Sequence, residues 1–118
     1  MQQDSAKVAD VFQVFSSPLR YSILEYLTQK DSTRLNQLYK YLGQLGVSCH
    51  SRSSILHDLG FMRRRSLVSI AERYSQSMEK SPKLYSITDV GRFYFHAFRK
   101  AFLKIDHELT QSEIYNAM

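Results

Sequence analysis

The chain of 118 residues carries one cysteine, Cys49. A single thiol cannot close an internal disulfide, and it cannot supply the CxxC pairs of a zinc site. Glycine and proline are scarce, at 4 and 2 residues, and tryptophan is absent. Collagen-like and linker-like readings are thereby excluded. The longest purely apolar runs are triplets such as Phe93-Tyr94-Phe95 and Ala101-Phe102-Leu103, far short of the roughly 20 residues of a membrane span. The start, MQQDSAKVAD, has no apolar core of the kind a signal peptide needs. A soluble, cytoplasmic protein is expected. There is no Gly-rich phosphate loop, no HExxH, no GxSxG, and the carboxylates are few and scattered. No enzyme activity and no cofactor are expected.

What is present suits a globular protein. Hydrophobic residues make up 43% and charged residues 23%. A chain of this length forms one domain that buries roughly 65% of its unfolded surface. The net charge is +5, which points to a polyanionic partner without proving one. Residues 48–83 hold seven basic and three acidic side chains, so +4 of the excess lies there. The flanking segments, 1–47 and 84–118, are near neutral at +1 and 0.

Periodicity sets out the elements. Val8, Val11, Phe12 and Phe15 form one stripe of a helix over 5–15. Ser17 can cap the next helix, and Pro18 suits its first position. That helix runs to about Thr28, with Leu19, Ile23 and Leu27 on one face. Residues 29–32 read as a turn. A third helix, about 34–45, carries Leu35, Leu38, Leu42 and Leu45. A fourth starts at Ser48 or Ser51 and runs to about Arg65, with Ile55, Leu59 and Met62 as its core stripe, joined by Leu56. Leu67, Val68 and Ile70 then open a strand to about Tyr74. Residues 75–82 are a polar loop, and Leu84, Tyr85 and Ile87 read as the return strand. Thr88 looks like the cap of a last helix over about 89–109, roughly 30 Å long.

This order predicts a mostly α fold with a two-stranded β-wing, the layout of a winged helix-turn-helix. Its fourth helix would enter the major groove, where side chains of the first two turns reach base edges. On a helical wheel His50, Ser53, Ser54 and His57 point away from the core stripe, with Gly60 and Arg64 beside them. Ser51 and Arg52 open the helix, and Arg52 can reach a phosphate or a guanine. Arg63, Arg64 and Arg65 close it, where cations favour the helix dipole and can also meet phosphate. The wing adds Arg73, Lys80 and Lys83. Phe61 points outward on the wheel, with no evident reason.

The last helix carries a broad apolar stripe: Val90, Phe93, Tyr94, Ala97, Phe98, Ala101, Phe102, Ile105 and Leu109. A domain this small has only one core, so part of the stripe is expected to pack on a second subunit. The first helix, through Val8 and Phe12, is expected to join it.

Three segments resemble one superfamily, the ArsR, MarR and PadR regulators. Phe15 to Leu27, FSSPLRYSILEYL, resembles the "proline, x-arginine, isoleucine-leucine" helix of ArsR-type repressors. Ser51 to Val68 resembles a recognition helix and strand entry, with Ile55, Leu59, Met62, Leu67 and Val68 at the apolar positions. Tyr85 to Gly91, YSITDVG, is similar to the "tyrosine, x-leucine, threonine, x-x-glycine" close of a wing. Together they cover about residues 12–92. The resemblance implies a homodimeric transcriptional regulator that binds double-stranded DNA, with dimerisation helices at both ends of the domain. Two departures stand out: Ser66 takes the place of the usual glycine before Leu67-Val68, and the turn at Gly46-Val-Ser-Cys-His50 is long.

The family's thiolate metal site is absent, because the third helix has no cysteine. A second family site uses histidines eleven positions apart on the last helix, a spacing that His96 and His107 share. Tyr94 stands where that site has aspartate, and Thr110 where a further ligand would be, so no metal site is expected. Cys49 lies beside the recognition helix, whose N-terminus lowers a thiol pKa, so a redox role is an alternative to a small part-buried residue. Two other readings remain at this level: a winged-helix module that binds protein inside a larger complex, and a metal- or ligand-responsive repressor.

Overall fold

A computed structural model describes residues 2–46, 51–72 and 83–101. It contains α1 (Gln2–Val14), α2 (Pro18–Thr28), α3 (Leu35–Gln44), α4 (Arg52–Arg64), β1 (Val68–Glu72) and β2 (Lys83–Ile87). A last helix, α5, follows over residues 89–101. The helices α2, α3 and α4 and both strands fall within a few residues of their expected bounds. The fold is a winged helix-turn-helix: α2, α3 and α4 pack on one another, and the β1–β2 hairpin packs beside α4. No helix among the described residues is long and apolar enough to cross a membrane.

Local chemistry explains the boundaries. Ser17 caps α2, its side chain accepting from the Arg20 N–H at 3.3 Å, and Pro18 follows at the first helical position. Ser51, not Ser48, begins α4. Its Oγ accepts from the Ser54 N–H at 3.1 Å, while the Ser54 Oγ accepts from the Ser51 N–H at 2.8 Å. This reciprocal pair satisfies two donors that a helix start would otherwise leave open. The hairpin is antiparallel, with Val68 opposite Ile87, Ile70 opposite Tyr85 and Glu72 opposite Lys83. The connection after α2 also contributes: Thr33, only 1% exposed, forms a bridge with Tyr85 through two backbone bonds of 2.9 and 2.8 Å. Thr33 thereby ties the hairpin to the α2–α3 connection.

One hydrophobic core lies among these elements. Val14, Ile23, Leu24, Leu27, Leu38 and Leu42 pack with Ile55, Leu59 and Met62 of α4 and with Phe95 of α5. Three sequence expectations shift here. Leu56 does not join the core stripe of α4 and is 44% exposed. Leu45 forms the C-cap of α3 and is exposed rather than buried. On α5 the fully buried residue is Phe95, which lies outside the predicted stripe, while Val90 and Phe93 face outward. The inward line of α5 is set by Gly91 and Phe95, four apart, so the helix is rotated from the expected stripe.

The corner between α4 and β1 shows why glycine would suit the position that Ser66 occupies. Its φ is +63°, the left-handed region in which glycine carries no steric penalty. Ser66→Gly is expected to raise stability by about 1 kcal/mol, seen as a melting temperature higher by roughly 4 °C. An unchanged or lower melting temperature would show that the serine carries no strain.

Candidate nucleic-acid interface

The inward side of α4 is apolar except for one charge. Ile55, Leu59 and Met62 are fully buried, and between them Asp58 is 8% exposed. A buried carboxylate needs a partner. Arg20 of α2 supplies it, its Nη1 donating to Asp58 Oδ1 at 3.3 Å. The same guanidinium donates to the carbonyls of Val14 (3.0 Å) and Gln13 (3.2 Å), groups freed at the end of α1. Arg20 therefore joins three helices at one point.

A second clamp lies further along α4. Arg65 donates through Nε to Asp10 Oδ2 at 2.9 Å and through Nη2 to Asp10 Oδ1 at 3.1 Å. This two-pronged pairing suits a guanidinium. The outward-pointing Phe61 now has its reason. Arg65 lies 3.5 Å over its ring and Arg20 lies 4.7 Å from its centroid. Phe61 is the apolar wedge between the two arginines, and the clamps fix the rotation of α4 about its own axis.

That rotation determines what α4 shows to solvent. Ser53, His57, Arg63 and Arg64 are exposed, Gly60 is half-buried and Leu56 stands among them. The other predicted contact residues are already engaged. Ser51 and Ser54 share the cap. Arg52 leans on α3, its Nε donating to Asn36 Oδ1 at 3.2 Å and its guanidinium 4.5 Å over the Tyr39 ring. Arg65 faces Asp10. His50, Arg73 and Lys80 lie outside the described residues, as do Cys49, His107 and Thr110.

Between α4 and the hairpin runs a cleft of about 350 Å³. Arg63, Arg64 and Lys83 line it together with apolar Leu56, Ile70 and Tyr85. Burial raises the Tyr85 phenol pKa above its ordinary value, so the ring stays neutral there. The last turn of α4 and the first residue of β2 thus bring three cations to one opening. Charge clustering in the sequence marks these cations. It gives no sign of the two clamps, whose partners lie 38 and 55 positions away.

The candidate subunit interface is partly described. Val8, Phe12, Val90 and Phe93 are 39%, 43%, 48% and 69% exposed. Ala97 and Ala101 are also exposed. Tyr94 is half-buried, and Phe98 stacks on Phe15 at 4.7 Å. Phe102, Ile105 and Leu109 lie outside the described residues. Arg92 ties α5 to α2, its Nη1 donating to the Thr28 carbonyl at 3.1 Å and closing the end of α2. His96 is exposed on α5, and no cluster of three possible metal ligands occurs among the described residues.

No protein-family model and no curated protein matches the chain. Solved structures do. A PadR-like transcriptional regulator from Bacillus cereus superposes with a TM-score of 0.67 at 23% identity, over 84% of this chain and 94% of that one. A MarR-family transcriptional regulator from Enterococcus faecalis gives 0.69 at 14% identity, over 96% and 92%. Bacillus subtilis PadR, in complex with operator DNA, gives 0.58 at 23% identity, over 69% of this chain and 46% of that one. At these identities the likeness concerns the backbone, and the chain has the winged helix-turn-helix fold that these regulators share.

Proposed function

We propose that the chain is a transcription regulator that binds double-stranded DNA as a homodimer, a binding protein of the cytoplasm rather than an enzyme. The observation that carries this reading is the concentration of exposed cations around one outward helix face. α4 presents Ser53, His57 and Arg64 at its centre, and Arg63 and Lys83 flank it at the wing. Such a helix fits the major groove, and cations on its rim meet phosphate. The operator-bound PadR neighbour supports the same use of the fold. Arg52 supports the helix from α3, and Arg65 holds it to α1, so neither is assigned to a base. His50, Arg73 and Lys80 remain proposed contacts from their place in the sequence.

The second subunit would cover the exposed Val8, Phe12, Val90 and Phe93 on α1 and α5. Burying apolar groups this exposed against a second subunit would remove them from water, which favours association. A two-fold axis would then set two half-sites about one helical turn of DNA apart. Sedimentation equilibrium is expected to give a dimer at micromolar concentration, and a monomer there would remove the two-fold arrangement.

The test of DNA binding is fluorescence anisotropy with labelled duplex at low salt. Wild type is expected to bind, and Arg64→Ala to bind roughly 10-fold more weakly with an unchanged melting temperature. Absence of binding at low salt would favour a winged-helix module that recognises protein.

A further inference from the structure

We propose that Leu56 reads the C5-methyl group of thymine, one per half-site, in the DNA that α4 engages. This rests on the DNA-binding reading and gives its face a specific preference. Three observations carry it.

Leu56 is 44% exposed, although Ile55, Leu59 and Met62 already complete the core contact of α4. The core therefore does not account for an apolar side chain here. Leu56 is also the fifth residue of α4 and lies in its second turn, within reach of base edges. Of its neighbours one turn away, Ser53 and Gly60 are small, Leu59 is buried, and Arg52 leans on α3. The leucine is therefore reachable along its own helix face. Finally, Leu56 lines the cleft that also holds Arg63, Arg64 and Lys83. Those cations draw in a polyanion, which excludes an apolar partner that carries no charge of its own. On the major-groove edges of a duplex the apolar group is the thymine methyl; the other readable edge groups are donors and acceptors. A leucine projecting among cations is complementary to that one feature.

Gly60 supports the geometry. A Cβ added there would meet no atom closer than 3.7 Å, and that atom is the Nη1 of Arg64, the far end of a long side chain. Gly60 leaves that space to the end of Arg64, which places a cation beside Leu56 at the cleft.

The test begins with duplexes that the protein itself enriches from a random pool. Each thymine of an enriched duplex is replaced in turn by deoxyuridine, which differs only in lacking the methyl. Wild type is expected to lose about 4-fold in affinity at one thymine of each half-site, the value of one buried methyl. Leu56→Ala should bind more weakly and be indifferent to uracil at that position. Leu56→Met, which keeps the apolar volume, should retain the sensitivity. Leu56 lies outside the buried core, so both variants should remain folded, melting within about 4 °C of wild type. The inference is overturned if no thymine is sensitive, or if Leu56→Ala keeps the full uracil penalty. A pool that yields no enriched duplex sinks the DNA-binding proposal itself, which separates the two failures.

Discussion

Raising salt from 50 to 200 mM should weaken duplex binding by roughly 10³- to 10⁵-fold. The size follows from the cations that the fold presents. Each phosphate neutralised releases condensed counterions and contributes about −0.9 to the slope of log K against log salt. Arg63, Arg64 and Lys83 line one cleft. Two subunits would double that set and make about 6–10 contacts, the range in which such losses occur. Arg64→Ala should make the slope shallower by about 2, one for each subunit. An affinity that ignores salt, or an Arg64→Ala slope equal to wild type, would contradict a backbone-tracking role for this face.

Gly91→Ala should lower stability by about 3 kcal/mol or more, with a melting temperature reduced by roughly 10 °C or more. Gly91 is buried in the first turn of α5, where the helix meets the α4–β1 corner. A Cβ there would lie inside van der Waals contact with the Leu67 carbonyl oxygen, 2.8 Å from Ile87 Cγ1 and 3.1 Å from the Leu67 carbonyl carbon. The carbonyl is held in place. It accepts the Thr88 N–H at 3.0 Å, and the Leu67 N–H donates to Met62 O at 3.0 Å. Thr88 adds to the lock, its Oγ1 donating to Ser66 O at 2.6 Å and accepting from the Gly91 N–H at 2.9 Å. The backbone cannot yield, so α5 must move, and α5 carries Phe95 into the core. A loss of this size is a large share of the 5–15 kcal/mol typical of a domain, on the order of a third. Gly60→Ala is the internal control. Its Cβ has room, and alanine favours a helix, so it should stabilise by roughly 0.5–1 kcal/mol. If Gly91→Ala melts within about 2 °C of wild type, the close approach of α5 to Leu67 is wrong.

These two effects also show what can be read from the chain alone. The spacing of Ile55, Leu59 and Met62 reports which side of α4 faces inward, because a helical period reports a face directly. Thr88 and Gly91 are visible as a motif, whereas the reason for the glycine needs the Leu67 carbonyl, 24 positions away. Phe61 has no reason in the sequence on the same ground. A wheel shows direction about one axis and nothing of Arg20 and Arg65, which enclose the ring from other parts of the fold. Apolar character places Leu56 in the core and spacing leaves Phe95 out of the stripe, and burial reverses both. Arg65 groups with its two neighbours as a cation, yet one residue of rotation, about 100°, turns it from the groove face towards Asp10. Periodicity thus locates the elements and the charged face. Long-range ion pairs and close backbone contacts, which decide how each helix is rotated, leave no local pattern.

The outward face of α4, with the wing, is the surface proposed to meet DNA, and amide chemical shifts recorded while duplex is added test it most directly. The largest changes are expected at Ser53, Leu56, His57, Gly60, Arg64 and Lys83, with little change at Val8 and Phe12. Changes confined to α1 and α5, with α4 unmoved, would contradict that assignment.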